Sequence, residues 1–302
     1  MSFADRLDAA VMDAGHPLVL GIDPHFDLLP DEFGRARAAD ASKEERASVV
    51  ESFCKQLVEI ASGRVAAVKP QAAFFEILGA HGLRAFENTV AHAHQHGLLV
   101  IGDVKRGDVP STARAYAQAY LQGEEPSVCD AITVNPYLGA DANQPFVDAC
   151  KQSGRGLFVL VRTSNPESAL FQEHGEPPMS EVVAAAVSAW GDGLVGECGF
   201  SSIGAVVGAT HPAELARLRA KMPRTPLLLP GVGAQGATAA DCKVAFPDSK
   251  HPWRGALINS SRGIAFAWKR PEHANRSWKD AAHKSLDTTV AELREALELT
   301  SG

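Results

Sequence analysis

Eight short apolar runs, each ending in polar or glycine residues, constrain this chain more than any other feature. They are PLVLGID (17–23), RVAAVKP (64–70), LLVIGDVK (98–105), DAITVNPY (130–137), GLFVLVRT (156–163), SIGAVVGA (202–209), PLLLPG (226–231) and GALINSS (255–261). Continuous apolar character, without clean alternation, suits strands covered on both faces, as in parallel sheets. Helical stretches separate them: 43–62, 83–97 ending at Gly97, 111–121 opening on Ser and Thr, 142–154, 181–194, 211–222, 234–246 and 285–299. This alternation predicts an α/β fold, a single (β/α)8 TIM barrel over residues 1–302, with an N-terminal helix and a closing C-terminal helix. A doubly wound open sheet is the other arrangement that such alternation allows. No G-x-G-x-x-G follows the first strand, which counts against a dinucleotide-binding sheet.

Composition narrows the partners. At 45% hydrophobic residues the chain has ample material for a core. Its formal net charge is −7 and it has no basic block, which argues against nucleic acid or a membrane surface as partner. No apolar run reaches the roughly 18 residues needed to cross a bilayer. The first residues, MSFADRLDAAVMDAG, carry charges throughout and read as an amphipathic helix rather than a signal peptide. Five cysteines (Cys54, Cys129, Cys150, Cys198, Cys242), odd in number and without a C-x-x-C pair, are expected to be buried free thiols in a reducing, cytoplasmic setting.

The strand ends hold the chemistry. Asp23, Lys69, Asp103 with Lys105, Asn135, Thr163, Gly231 and Arg262 all follow or end apolar runs. In a barrel they converge on one rim, where such folds build their sites. Singly, Asp23 before Pro24 reads as a turn former and Lys69 as half of an ordinary ion pair; their convergence points to function. Asp103 and Lys105 are two apart on a strand and so share a face. An ammonium held by carboxylates, with Asp108 three residues on, is suited to give a proton to carbon. A Schiff-base lysine needs the opposite surroundings, burial or cationic company. In LLLPGVGAQGATAAD (227–241) a strand runs into Gly231, Gly233 and Gly236 before a helix, a phosphate-binding pattern, and Arg262 after the eighth strand can clamp the same phosphate. His92 and His96, four apart on an outer helix, read as a solvated helix end rather than a metal pair. The four tryptophans read as packing residues. Loops 24–42, 164–179 and 246–254 are long, and the first two would lie over the rim. The polar stretch 268–284 reads as a surface excursion.

The motifs as a set resemble a known family. D-x-K-x-x-D at Asp103, Lys105 and Asp108, followed by Thr112, looks like orotidine 5′-monophosphate decarboxylase. DVKRGDVPSTARAYA, with GIDPH, AVKPQAAFFE, TVNPYLG, RTSNPES, VVGAT, LLPGVGAQG and INSSRGI in order, is similar to the second type of that enzyme, common in actinobacteria and other bacteria. The resemblance covers about Leu20 to Ile264. It implies a (β/α)8 barrel, a homodimer with shared sites, no metal or organic cofactor, and orotidine 5′-monophosphate as substrate, with UMP and carbon dioxide as products. It also implies roles. Lys105 would protonate C6, Asp103 would sit by the leaving carboxylate, and Asp108 and Thr112 would reach the partner subunit's site. Asp23 and Lys69 would bind ribose hydroxyls, and Thr163 or Ser164 the pyrimidine edge. Gly231, Gly233, Gln235, Gly236 and Arg262 would hold the phosphate. The chain departs from other types in lacking a Gln/Arg pair deeper in the helix after the seventh strand. Two rivals stand beside this reading. One is a magnesium-dependent sugar-phosphate lyase or synthase of the same superfamily, which needs an extra acid after the second strand, where this chain has Lys69 and, further on, Glu76. The other is a nucleotide-binding protein without catalysis.

Overall fold

The computed structural model describes residues 1–123, 128–231, 238–247 and 251–298. Each of the eight runs gives a strand: β1 (Leu18–Ile22), β2 (Ala67–Pro70), β3 (Leu99–Arg106, one residue past its run), β4 (Ala131–Val134), β5 (Gly156–Arg162), β6 (Ile203–Val207), β7 (Leu227–Leu229) and β8 (Ala256–Ser260). Every neighbouring pair is parallel, and β8 pairs with β1 through Leu18–Ile258, Val19–Asn259 and Leu20–Ser260. The sheet therefore closes into an eight-stranded barrel, and the doubly wound alternative falls.

The helices are α1 (Phe3–Ala14), α2 (Lys43–Ala61), α3 (Ala73–Glu76), α4 (Ala80–Gln95), α5 (Pro110–Leu121), α6 (Ala140–Ser153), α7 (Ala169–Gln172), α8 (Met179–Gly191), α9 (Pro212–Lys221), α10 (Arg262–Ala265) and α11 (Trp278–Glu298). Local chemistry sets their ends. Ser42 and Glu45 form a reciprocal capping box on α2. Gly97, at φ +72°, follows α4 where a left-handed residue is needed. The α5 start differs from expectation: Pro110 takes the first helical position, and neither Ser111 nor Thr112 caps it. Among the described residues no helix is long and apolar enough to cross a membrane.

Two apolar layers result. Val19, Ala67, Ile101, Ala131, Phe158, Val206, Leu228 and Leu257 fill the lower barrel, and Phe3 of α1 inserts among them. The ring of Phe3 meets Phe158 edge-on at 6.2 Å, and a Cβ on Gly156 would lie 2.1 Å from it, so glycine is required there. Around Phe3, Arg6 pairs with Asp130 at 2.6 Å and Asp8 with Arg254 at 2.7 Å. These partners precede strands, so α1 plugs the N-terminal end of the barrel and leaves the other end open. The second layer lies between the strands and the outer helices.

Two expectations need correction. The run 234–246 is not an α-helix where it is described: Ala240–Ala245 is a short 3-10 turn. Thr238 and Asp241 exchange hydrogen bonds at its start (2.8 and 3.3 Å), and Pro247 cuts the run off before a full helix can form. The stretch 268–284 is not a plain surface excursion. Trp278 begins α11, is buried, and packs on Phe53 and Phe33 at 5.2 and 5.7 Å, with its indole N–H donating to Glu32 at 2.6 Å. Four cysteines are buried and Cys198 is half-buried, all as free thiols.

Candidate active site

A large cleft opens at the C-terminal end of the barrel, lined by Asp23, Lys69, Asp103, Lys105, Thr163, Ser164, Gly231 and Arg262. These are most of the strand-end residues expected from sequence. Alternation along each strand aims them inward, one layer above the apolar plug.

Asp103 is the hub, and it is 6% exposed. One carboxylate oxygen accepts from Lys69 Nζ at 2.6 Å and Gln71 Nε2 at 3.0 Å. The other accepts from Lys105 Nζ at 2.5 Å and Thr133 Oγ1 at 2.9 Å. Burial alone would raise the Asp103 pKa. The ammoniums of Lys69 and Lys105 overcome that and hold the carboxyl well below the usual carboxylate range. Burial likewise disfavours the Lys69 ammonium, but Asp103 and Asp23 outweigh it and raise its pKa above the ordinary lysine value. One carboxylate thus fixes two cations at the floor of the cleft.

Lys105 reaches this position through a distorted backbone. Among the described residues it is the one non-glycine residue at positive φ, +45°. The β3–β4 register shifts between Gly102 and Arg106, and the Lys105 N–H donates to Thr133 Oγ1 at 2.9 Å. A left-handed lysine costs about 1–2 kcal/mol and persists where its surroundings over-determine it. Arg106 turns the other way. It binds Glu76, donates to Tyr120 Oη at 3.2 Å, and lies over the Tyr116 ring at 5.3 Å.

Buried acceptors without partners mark where a ligand would bond. Asp23 Oδ1 and Asn259 Oδ1 are both buried and unpaired, and both residues line the cleft. Thr163 is already occupied: its hydroxyl donates to Asn165 Oδ1 at 2.7 Å and accepts from Gln172 Nε2 at 2.9 Å. Arg262 is exposed over the cleft, with Arg270, Arg276 and Lys284 on the same wall. That wall belongs to the segment expected to be a mere excursion.

Other expected residues lie elsewhere. Asp108 accepts from the Val109 N–H at 2.8 Å and is not part of the cleft lining, and Thr112 is exposed on α5. Asn135 turns aside to accept from the Tyr137 N–H at 3.1 Å. Gly233, Gln235 and Gly236 lie outside the described residues. His92 and His96 have tilted rings 4.3 Å apart and are half-buried rather than fully solvated. Sequence reasoning missed Gln71 and Thr133. Gln71 was within reach of it, since it stands two residues from Lys69 and so shares its inward period; Thr133 was not, because the expected end of its strand, Asn135, turns aside.

Parallel (β/α)8 barrels with a charged cleft at the C-terminal ends of the strands form a class of enzymes, many of which hold a phosphate group there. The chain belongs to the orotidine 5′-phosphate decarboxylase / HUMPS family, whose model matches residues 17–277. It is 41% identical over 291 residues to an orotidine 5′-phosphate decarboxylase of Rhodopirellula baltica, covering 93% of this chain and 95% of that one. It is 35% identical over 297 residues to one from Clostridium perfringens strain 13, covering 97% and 99%. Among solved structures, Leishmania donovani OMP decarboxylase superposes with a TM-score of 0.75 at 30% identity, with 100% of both chains covered.

Proposed function

We propose that this chain decarboxylates orotidine 5′-monophosphate to UMP and carbon dioxide, the last step of de novo UMP synthesis. The observation that carries the reading is the Asp103 carboxylate held between the ammoniums of Lys69 and Lys105 at the floor of the cleft. Loss of carbon dioxide from C6 leaves an electron pair on a ring carbon with little delocalisation. A preorganised cation next to that carbon stabilises the developing charge, and in a half-buried site it does so far better than water would. Lys105 then gives its proton to C6, and solvent restores it. Asp103 fixes the ammonium and lies beside the departing carboxylate.

The remaining groups bind. The unpaired Asp23 oxygen accepts from a ribose hydroxyl, with Lys69 beside it. Ser164, whose hydroxyl has no partner among the described residues, takes the pyrimidine edge, because the Thr163 hydroxyl is already engaged. Arg262 and the Gly231 backbone hold the phosphate, and Gly233, Gln235 and Gly236 share in that binding. Phosphate binding far from C6 lowers the barrier at the reacting carbon through closure around the substrate. The reaction proceeds without metal or organic cofactor.

The active form is a homodimer. Asp108 and Thr112 serve the partner subunit's site. Val109, Tyr137 and Leu138, 52%, 70% and 45% exposed, give the neighbouring surface the apolar area an interface needs. A cytoplasmic setting is in keeping with five free thiols. The magnesium-dependent reading is weaker, because Lys69 stands where its extra acid belongs and Glu76 is bound by Arg106.

The test is the ultraviolet absorbance of orotidine 5′-monophosphate mixed with the protein, with and without EDTA, beside Lys105→Ala. Rapid loss of the orotate chromophore that ignores EDTA and disappears in the variant is the expected result. An intact chromophore with the wild-type protein would overturn the reading.

A further inference from the structure

The loop after β5 is held with more care than a binding loop requires for folding alone. Arg162, 5% exposed, ends the strand. Its Nε faces Glu214 at 2.8 Å and Glu173 at 3.2 Å, and its Nη1 donates to the Thr163 carbonyl at 3.0 Å and to Ser168 Oγ. Gln172 of α7 holds the other side of the same residue. Its Oε1 accepts from the Thr163 N–H at 2.8 Å, and its Nε2 donates to Thr163 Oγ1 at 2.9 Å. The same Oε1 lies 3.3 Å from Arg162 Nη1, so the two clamps are joined.

Residue 163 is thus fixed at its N–H, its carbonyl and its hydroxyl, and its own side chain is spent on that fixing. The next residue is Ser164. Its backbone lies against Gly208 at the end of β6, where a Cβ would come within 3.3 Å of Ser164 N, Cα and Cβ. Ser164 lines the cleft with its hydroxyl unpaired among the described residues. Gln172 lines the cleft as well, from behind Thr163.

We infer that Gln172 is a positioning residue for the pyrimidine: through Thr163 it sets the direction of the Ser164 hydroxyl, and so the fit of the ring edge. This inference rests on the decarboxylase reading and on Ser164 as its ring contact. Gln172 itself touches neither the reacting carbon nor the carboxylate. Its influence passes through one peptide unit, and that makes it separable from a general role in folding.

The experiment is a double-mutant cycle on decarboxylation of orotidine 5′-monophosphate. The variants are Gln172→Met, which keeps length and volume but makes neither hydrogen bond, Ser164→Ala, and the pair together. Gln172→Met is expected to lower kcat/KM about tenfold or more, the size of effect expected for one misdirected hydrogen bond to the substrate. In the Ser164→Ala background the same substitution is expected to change kcat/KM by less than about twofold, since the group it positions is gone. Gln172→Glu, which keeps the acceptor for the Thr163 N–H and for Arg162, is expected to recover most of the loss. Losses that multiply independently, or a wild-type kcat/KM in Gln172→Met, would overturn the inference while leaving the decarboxylase reading intact. A wild-type protein that leaves the chromophore unchanged would instead sink that reading. Should Gln172→Met melt well below wild type, Gln172→Asn, which draws both groups back by one methylene, replaces it in the same cycle and is read by the same two outcomes.

Discussion

At the scale of single residues, the site is defined by which charges are paired and which polar atoms are not. Asp103 makes four hydrogen bonds to Lys69, Gln71, Lys105 and Thr133, and neutralising it strands a buried ammonium at Lys69. Asp103→Asn is therefore expected to cost roughly 3–5 kcal/mol of stability, the usual size for breaking one half of a buried pair. A denaturant titration of the variant beside wild type measures it. The sign of the pH effect follows from the lowered pKa. The Asp103 contribution is fully present above the ordinary carboxylate range and is lost only as pH falls through the depressed native value. Between about pH 5 and about pH 9 Asp103 should add no ionisation to the rate profile. Asp23 behaves differently, since its buried Oδ1 has no partner until a ligand brings one. Asp23→Asn is expected to raise KM about tenfold or more, the worth of a hydrogen bond to a charged acceptor, with a smaller change in kcat. Steady-state kinetics decide. These residues were legible because D-x-K-x-x-D and the strand-end aspartate stand at fixed places in the alternation. The left-handed backbone at Lys105 was not, because it arises from a register shift against β4 that only the paired strands define.

At the scale of elements, the strands were readable and the short helices were not. A buried parallel strand leaves a continuous apolar signature: seven strands fell inside their runs, and β3 passed the end of its run by one residue, Arg106. The 3-10 turn at Ala240–Ala245 and the early start of α11 depend on contacts from distant segments: Thr238 with Asp241 in one case, Trp278 with Phe33 and Phe53 in the other. The α1–β1 connection adds a device that sequence alone did not suggest. His16 is buried, and its Nδ1 accepts from the Leu18 N–H at 3.2 Å, at the first residue of β1. Burial, then repulsion from Arg294 and Arg64, pull its pKa from the ordinary 6.5 down to about 4. A base with a depressed native pKa stabilises the fold fully above its unfolded value, and that stability fades as pH falls from about 6.5 toward about 4. Melting temperature should drop by roughly 5 °C over that interval from this group alone. His16→Asn, whose side-chain oxygen can accept the same Leu18 N–H, should melt with a flatter pH dependence. Thermal scans at pH 7, 6, 5 and 4 would compare the two, and parallel slopes would remove His16 as the cause.

At the scale of the whole molecule, the barrel explains why one cleft collects residues from many parts of the chain, yet it leaves Asp108, Thr112 and Asn135 outside the lining. Asp108 and Thr112 follow β3 and do not line the cleft, and Val109, Tyr137 and Leu138 are exposed apolar side chains. A D-x-K-x-x-D motif whose last acid is not among the residues lining its own cleft makes physical sense if a two-fold-related copy receives it. Closed two-fold symmetry then gives both sites the same completion. The arrangement can be tested by complementation. Lys105→Ala and Asp108→Ala should each be nearly inactive as pure proteins. When the two are unfolded together and refolded, a hybrid dimer holds one site that lacks both groups and one that has an intact Lys105 and an intact Asp108 from its partner. Random pairing makes half of all dimers hybrids, so about a quarter of all sites regain full function. Recovery of about a quarter of wild-type activity in the mixture, from two parents with almost none, would establish the shared site. If Asp108 instead served its own subunit, every site in every dimer would lack one group or the other, and the mixture would stay as inactive as its parents.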